Sequence, residues 1–326
     1  MTDTQRFPLL PGTRVYVAGH RGLAGSALWR ALERRGVGTL TGRTSAELDL
    51  RDRDATMAFV AEARPDVIID AAARVGGILA NSTYPADFLS ENLRIQVNLL
   101  DAARAVGVPR FLFLGSSCIY PKFAEQPIRE DSLLTGPLEP TNDAYAIAKI
   151  AGILQIQAIR RQDGLPYISA MPTNLYGPGD NFHPTQSHVL PALIRRFDEA
   201  ARRGDPTVTC WGSGTPRREF LHADDLADAC LHLLEFYDDP APINVGTGVD
   251  HTIAEIAGMV ADTVGFGGTI EWDTGKPDGT PQKLLDVSRL HGTGWTSSVD
   301  LPTGLTQTYR WYQDHREASA DGRPRS

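Results

Sequence analysis

Cysteine is scarce in this chain: Cys118, Cys210 and Cys230 are the only three, far apart among 326 residues and without a CxxC pair. That spacing excludes a disulfide framework and a zinc-ribbon site and fits a reducing compartment; no metal is expected. No apolar run is long enough for a membrane span, and the stretch from Met1 to Pro11 lacks the apolar segment of a signal peptide, so the cytoplasm is the expected location. No block of Lys or Arg stands out, and the net charge is −8. An acidic surface repels phosphate backbones at long range, so nucleic acid is not an expected partner, although a few local cations could hold a nucleotide-sized anion. There is also no internal repeat and no low-complexity linker. The tail, residues 316–326, is polar and reads as disordered.

What is present suits a sizeable core: 41% of residues are hydrophobic and 22% charged, enough for one large or two fused domains. In the first half, short apolar runs alternate with amphipathic stretches. Arg14–Ala18, Val37–Thr41, Val67–Ala71, Phe111–Leu114 and Tyr167–Met171 read as buried strands, and 23–35, 53–63, 85–106 and 143–162 as helices. Continuous apolar strands separated by helices predict a parallel sheet covered on both faces. After about residue 175 the rhythm breaks at Tyr176–Thr185, a polar segment full of turn formers. Helices near 187–203, 223–237 and 252–264 follow, with short strands between. The expected architecture is therefore α/β: a Rossmann-type doubly wound parallel sheet over 1–175, with some later elements returning to it, and a smaller α/β substrate-binding lobe over 176–315.

Directly after the first strand come Gly19, His20, Arg21, Gly22, Leu23, Ala24 and Gly25, a GxxGxxG run that opens a helix. Glycines allow a tight turn and close backbone approach, and the helix N-terminus offers unpaired N–H groups to a pyrophosphate; a ligand-free glycine turn is the bland alternative. An NAD site usually places an acid at the end of the second strand, ~20 residues on. Here the chain has Arg43 instead, which, like Arg21, suits a 2′-phosphate and favours NADP(H), unless Arg43 is merely a solvated turn residue.

Tyr145 and Lys149, four apart, share one face of a helix. An ammonium beside a phenol lowers its pKa, so Tyr145 is expected to exchange a proton with a carbonyl oxygen near neutral pH. Alone the pair could be an exposed i, i+4 contact. Its weight comes from following the glycine turn and a strand that ends in Leu114, Gly115, Ser116 and Ser117, where a serine hydroxyl could share the substrate oxygen. Ser, Tyr and Lys so placed resemble the triad of the extended short-chain dehydrogenase/reductases.

A closer resemblance covers about residues 13–315. Phe113–Lys122, Leu138–Asn142, Tyr145–Gly152, Met171–Gly177, Asp180–Pro184, Trp211–Thr215, Arg218–His222, Asn244–Gly248 and Lys276–Pro281 resemble the GDP-L-fucose synthases, which are 3,5-epimerase/4-reductases. The resemblance implies a homodimer acting on a GDP-linked 4-keto sugar, with Cys118 and His188 as epimerisation base and acid. It also implies that NADPH reduces C4 while Tyr145 protonates the oxygen. Arg196, Trp211, Arg218 and Asp278 would bind the nucleotide sugar, and Pro172, Thr173, Asn174 and Leu175 would line the nicotinamide pocket. By residue type alone, Cys118 reads equally as a small buried hydrophobe and His188 as a helix cap. Family members often carry a second arginine where this chain has Ser45, which would loosen the 2′-phosphate grip. The competing readings are reduction of a related 4-keto sugar nucleotide without full epimerisation, and a catalytically silent dinucleotide sensor.

Overall fold

The computed structural model describes residues 7–184, 186–276 and 278–316, so the expected disordered tail lies, beyond Arg316, outside the described residues. In chain order the first half runs β1 (Arg14–Ala18), α1 (Leu23–Arg34), β2 (Thr39–Thr41), α2 (Arg53–Ala63), β3 (Val67–Asp70), α3 (Ile78–Thr83), α4 (Pro85–Val106), β4 (Arg110–Leu114), α5 (Asp143–Asp163) and β5 (Ile168–Pro172). The second half runs β6 (Asn174–Tyr176), α6 (Val189–Arg203), β7 (Thr207–Trp211), β8 (Arg217–His222), α7 (Ala223–Phe236), β9 (Ile243–Val245), β10 (Asp250–Thr252), α8 (Ile253–Val264), β11 (Thr269–Asp273), β12 (Gln282–Lys283), α9 (Ser288–Gly292) and α10 (Leu301–Asp314).

Six strands form one parallel sheet in the order β2-β1-β3-β4-β5-β9. Every residue of β3, β4 and β5 is buried, which is why these strands read as unbroken apolar runs and not as alternation. One face is covered by α1 and α7 through Val15, Leu28, Leu226 and Leu231, the other by α2, α4 and α5 through Val60, Leu99, Phe113 and Ile153. The strand order reverses between β1 and β3, and it is at such a switch point that open α/β sheets bind ligands.

Beside this sheet lies a second assembly. β8 pairs with β6, β12 and antiparallel β10, while β7 pairs with β11. Phe197, Val208, Ile256, Leu305 and Tyr312 form its own core. The first sheet thus recovers β9 and α7 from the second half of the chain.

The observed strands sit within a residue or so of the expected runs, except that β2 begins at Thr39, not Val37. Gly38 is pressed so close to the Pro11 carbonyl that a Cβ would lie 1.8 Å from its oxygen, and the chain pairs only beyond that contact. Three helices, α3, α9 and α10, have no counterpart among the expected ones. In α10 the helical pattern is broken by Gly304, whose missing Cβ admits the Tyr176 hydroxyl (2.1 Å from where it would stand). Tertiary packing there overrides a weak local propensity.

Candidate functional site

The glycine turn lies at the switch point. Gly19 takes φ +75°, and a Cβ on it would stand 2.7 Å from the Ala71 carbonyl oxygen just beyond β3. A Cβ on Gly25 would stand 2.0 Å from the Gly19 carbonyl oxygen. Packing within the chain therefore requires both glycines. Gly22 differs: it is the N-cap of α1, in extended conformation, and the nearest atom to a Cβ there is 3.4 Å away. The chain's own packing leaves that space open. No side chain caps α1 and no acid stands in its first turn, so the N–H groups around Leu23 and Ala24 face an open cradle suited to a diphosphate.

Around the end of β2, Arg43 is exposed, lies over the Phe59 ring at 5.3 Å and donates to the Gly42 carbonyl at 2.9 Å. His20 packs on Trp29 with ring centroids 5.4 Å apart and sits against Gly42. Burial lowers its pKa, as do Arg21 and Arg43, against opposition from Glu47. Glu47 accepts from Thr44 N–H and hydroxyl at 2.8 and 2.9 Å. Arg21 and Arg43 thus bracket a cationic corner beside the glycine turn, and these residues fit a dinucleotide that carries a 2′-phosphate.

Deeper in the cleft, Lys149 is buried on α5 and donates from Nζ to the Leu114 carbonyl at 2.8 Å, with the ammonium 4.7 Å from the Phe113 ring centre. Burial lowers its pKa to about 8, and Asp70 pulls it upward. Asp70, fully buried at the end of β3, is raised to about 6 by burial, with Lys149 and the Ala72 N–H acting downward. An acid at the end of an otherwise apolar strand is a signal that the sequence reading passed over. Gly115, next along, is packed under the Met171 sulfur.

The expected lowering of Tyr145 is not what the structure gives. Burial raises the phenol and the Cys118 sulfur raises it further, against a hydrogen bond with Ser116. The Lys149 ammonium stands 5.9 Å from the ring centre and is engaged by Leu114. Tyr145 is therefore a firmly protonated donor.

Ser116 links the cluster. It begins a 3-10 turn, Ser117–Ile119, accepts from Cys118 N–H at 3.2 Å and hydrogen-bonds both the Tyr145 hydroxyl and the Cys118 thiol. Ser117 is buried. Burial pushes the thiol up, but the Lys283 ammonium and hydrogen bonds from Ser116, Lys283 and Asn142 outweigh it and leave Cys118 below its ordinary value. Lys283 Nζ lies 3.5 Å from Sγ. Neither Lys283 nor Asn142 was among the candidates, because nothing local in sequence ties them to residue 118.

Other candidates spread outward. His188 is the N-cap of α6 but makes no capping bond with its side chain, so its ring is left for other use. It is solvent-accessible yet ringed by protein, which lowers its pKa. Arg196, two turns along α6, donates to the Thr209 carbonyl on β7 at 2.8 Å. Trp211 ends β7 with 67% of its surface exposed, and the Lys276 ammonium lies 5.5 Å from its ring centre. Asp278 is committed to the next turn, accepting from Ser213 N–H at 2.6 Å and hydroxyl at 2.9 Å. Arg218 lies beside Gly279, interacts with Cys118 and is lowered mainly by burial. Thr173 and Asn174 hydrogen-bond the Glu219 carbonyl at 3.3 and 2.8 Å, tying the segment from Pro172 to Leu175 to β8. Hydrogen bonds thus join Ser116, Cys118 and Tyr145, with Arg218 close enough to act on Cys118 through its charge, whereas His188 and Arg196 ride on α6 outside that group.

Residues 15–246 match the NAD dependent epimerase/dehydratase family. GDP-L-fucose synthase 1 of Arabidopsis thaliana is 57% identical over 299 residues, 92% of this chain and 93% of that protein. GDP-L-fucose synthase of Escherichia coli K12 is 54% identical over 313 residues, 93% of this chain and 98% of that one. Among solved structures, a GDP-L-fucose synthetase from Naegleria fowleri bound to NADP superposes with a TM-score of 0.89 at 29% identity, covering 96% of each chain. No helix among the described residues is long and apolar enough to cross a membrane. The chain belongs to the NAD dependent epimerase/dehydratase family and, within it, to the GDP-L-fucose synthases.

Proposed function

We propose that this enzyme converts GDP-4-keto-6-deoxy-D-mannose to GDP-L-fucose, inverting C3 and C5 and then reducing C4 with NADPH. The observation that carries this reading is the cluster at the end of β4, where a lowered thiol, a protonated phenol and a bridging serine meet. Bound NADPH supplies hydride. In this reading the cradle at Gly22 and the first turn of α1 hold its diphosphate, Arg21 and Arg43 its 2′-phosphate, and Lys149 its nicotinamide ribose. Pro172–Leu175 lines the nicotinamide pocket.

The C4 ketone acidifies the hydrogens at C3 and C5. Cys118, as thiolate, takes one of them: the C–H bond breaks, an S–H bond forms and the electron pair moves onto the C4 oxygen. A lowered thiol is a competent base near neutral pH. His188, whose surroundings weaken its hold on a proton, gives one to the opposite face as the electron pair returns from oxygen to carbon; the thiol loses its proton to solvent, the imidazole regains one, and the cycle repeats at the other carbon. Tyr145 then protonates the C4 oxygen while Ser116 holds it. Arg196 and Arg218 neutralise the substrate diphosphate, Trp211 packs on ribose or base, and Asp278 accepts a hydroxyl.

The reading includes residues 1–175 as the cofactor unit, joined by β9 and α7, and 176–315 as the substrate lobe. It also includes a cytoplasmic homodimer whose partner is a small sugar nucleotide and not nucleic acid. Support for the dimer comes from Ile147 and Leu154, two turns apart on α5 and 45% and 43% exposed; sedimentation showing only monomer at micromolar concentration would remove it.

The deciding experiment is NADPH oxidation with GDP-4-keto-6-deoxy-D-mannose in D2O, with the product read by NMR. GDP-L-fucose carrying deuterium at C3 and C5 is expected. No turnover despite intact cofactor binding would overturn the proposal, and a reduced product without deuterium at those carbons would replace it with simple 4-keto reduction.

A further inference from the structure

We propose that Lys283 is the positioning residue for Cys118: held by β12 with its ammonium 3.5 Å from the sulfur, it stabilises the thiolate form before any substrate arrives. The use of that thiolate on carbon rests on the reading above, but its ionisation does not.

Three features of the structure support this. The first is that Lys283 is fixed in place. It pairs with Arg218 across the parallel β12–β8 register. The next two residues are also pinned, Leu284 N–H donating to Gln126 Oε1 at 2.9 Å and Leu285 N–H to Glu219 Oε2 at 3.0 Å. Glu219 is itself fully buried and further accepts from Thr247 and Gly248 N–H at 2.6 and 2.8 Å. A flexible four-carbon stem is thereby anchored at its root, as a group acting on a fixed neighbour requires.

The second feature is the set of groups around the sulfur. Lys283 comes from β12, Arg218 from β8, Tyr145 and Asn142 from α5 and its N-cap, and Ser116 from the end of β4. Tyr145 is neutral, and Arg218 is the second cation. Lys283 alone among these both donates a hydrogen bond to the sulfur and carries a full charge beside it.

The third is the contrast with the other cysteines. Cys210 and Cys230 are buried, and burial raises both, although Cys210 has Arg196 beside it. The thiol of Cys118 is driven up by burial in the same way, but there the Lys283 ammonium, together with hydrogen bonds from Ser116, Lys283 and Asn142, outweighs burial, whereas at Cys210 the charge and hydrogen bond of Arg196 do not.

The test is the rate of iodoacetamide alkylation of full-length protein from pH 5 to 10, read at the Cys118 peptide by mass spectrometry, so that the two buried thiols do not interfere. Wild-type Cys118 should titrate below the ~8.5 of an unperturbed thiol. Lys283→Met should raise that midpoint by about one unit and slow alkylation at pH 7 roughly tenfold, while Lys283→Arg should keep most of the wild-type profile. Deuterium uptake at C3 and C5 should fall in Lys283→Met by a like factor at pH 7 and recover toward pH 9, with NADPH binding unchanged. A wild-type midpoint at or above the ordinary value overturns the proposal without any variant, as do superimposable profiles for wild type and Lys283→Met. A raised KM with an unmoved thiol would make Lys283 a ligand of substrate phosphate instead. Should the Met variant not fold, Lys283→Gln takes its place against the Arg variant. Because alkylation needs no sugar, a wild-type enzyme inactive on the keto sugar would defeat the proposed function and leave the Lys283 comparison to be decided separately.

Discussion

At the switch point between β1 and β3 the cleft surface is made of backbone, while at its other wall it is made of side chains. The cofactor corner comes from one continuous stretch, Gly19 to Gly25, whose shape is enforced by close backbone contacts such as Gly25 against the Gly19 carbonyl. The Cys118 corner is assembled from β4, α5, β8 and β12, and its closest ionic partner lies 165 residues away in sequence. A backbone-built site depends on the absence of atoms, and one methyl group can destroy it. A side-chain-built site depends on charges meeting, and it degrades by shifts in ionisation while the fold persists.

The sharpest way to test that contrast is on the side-chain wall. Tyr145→Phe removes only the protonating hydroxyl and should lower the reduction rate by ~10²–10⁴-fold, with an unchanged melting temperature and continued deuterium uptake at C3 and C5. A comparable loss of uptake would show that the two chemistries are not separable. On the backbone wall, Gly25→Ala should cost about 1–3 kcal/mol through overpacking and abolish cofactor binding, whereas Gly22→Ala should fold normally and weaken NADPH roughly tenfold or more by filling the open cradle. Denaturant titration with cofactor fluorescence distinguishes them, and equal destabilisation by both would show that Gly22 is also held by packing.

A smaller effect is expected at Arg43, which is exposed. Arg43→Ala should leave stability untouched and reduce the NADPH-over-NADH ratio of kcat/KM roughly tenfold through loss of charge-assisted contacts; an unchanged ratio would move the 2′-phosphate site to Arg21. The smallest concerns Asp70. Lys149, near 8, is charged below that value and neutral above it, and Asp70 raises it. Activity that needs the ammonium is full below that pKa and falls as pH rises through it, so Asp70→Asn should move the alkaline limb of the kcat profile to lower pH by ~1 unit. An alkaline limb that stays put or moves up would mean that Asp70 does not govern Lys149.

Much of the fold was legible because its signals are local. The β3 and β4 runs announce buried parallel strands, and Asp52 caps α2 by accepting from the Ala55 N–H. The C-terminal helix α10 was not read, although Asp300 caps it and Pro302 stands in its first turn; Gly304 hid it, serving the Tyr176 hydroxyl and not the helix. Tyr145 lies on its helix as periodicity expects, but its phenol is raised and not lowered. Four-residue spacing sets adjacency on a helix, while the direction of a pKa shift depends on what surrounds the group in space.

The residues themselves determined that a glycine turn leads from strand to helix, that Arg43 stands where an acid would otherwise be, and that Tyr145 and Lys149 share a helix face. Each follows from backbone geometry and periodicity over a few positions. Only the tertiary structure decided that Lys283 meets Cys118, that Asp70 and Lys149 influence one another, and that Gly22, alone of its trio, is open to a ligand. Charge interaction and steric room depend on distance through space, and sequence separation carries no measure of that distance.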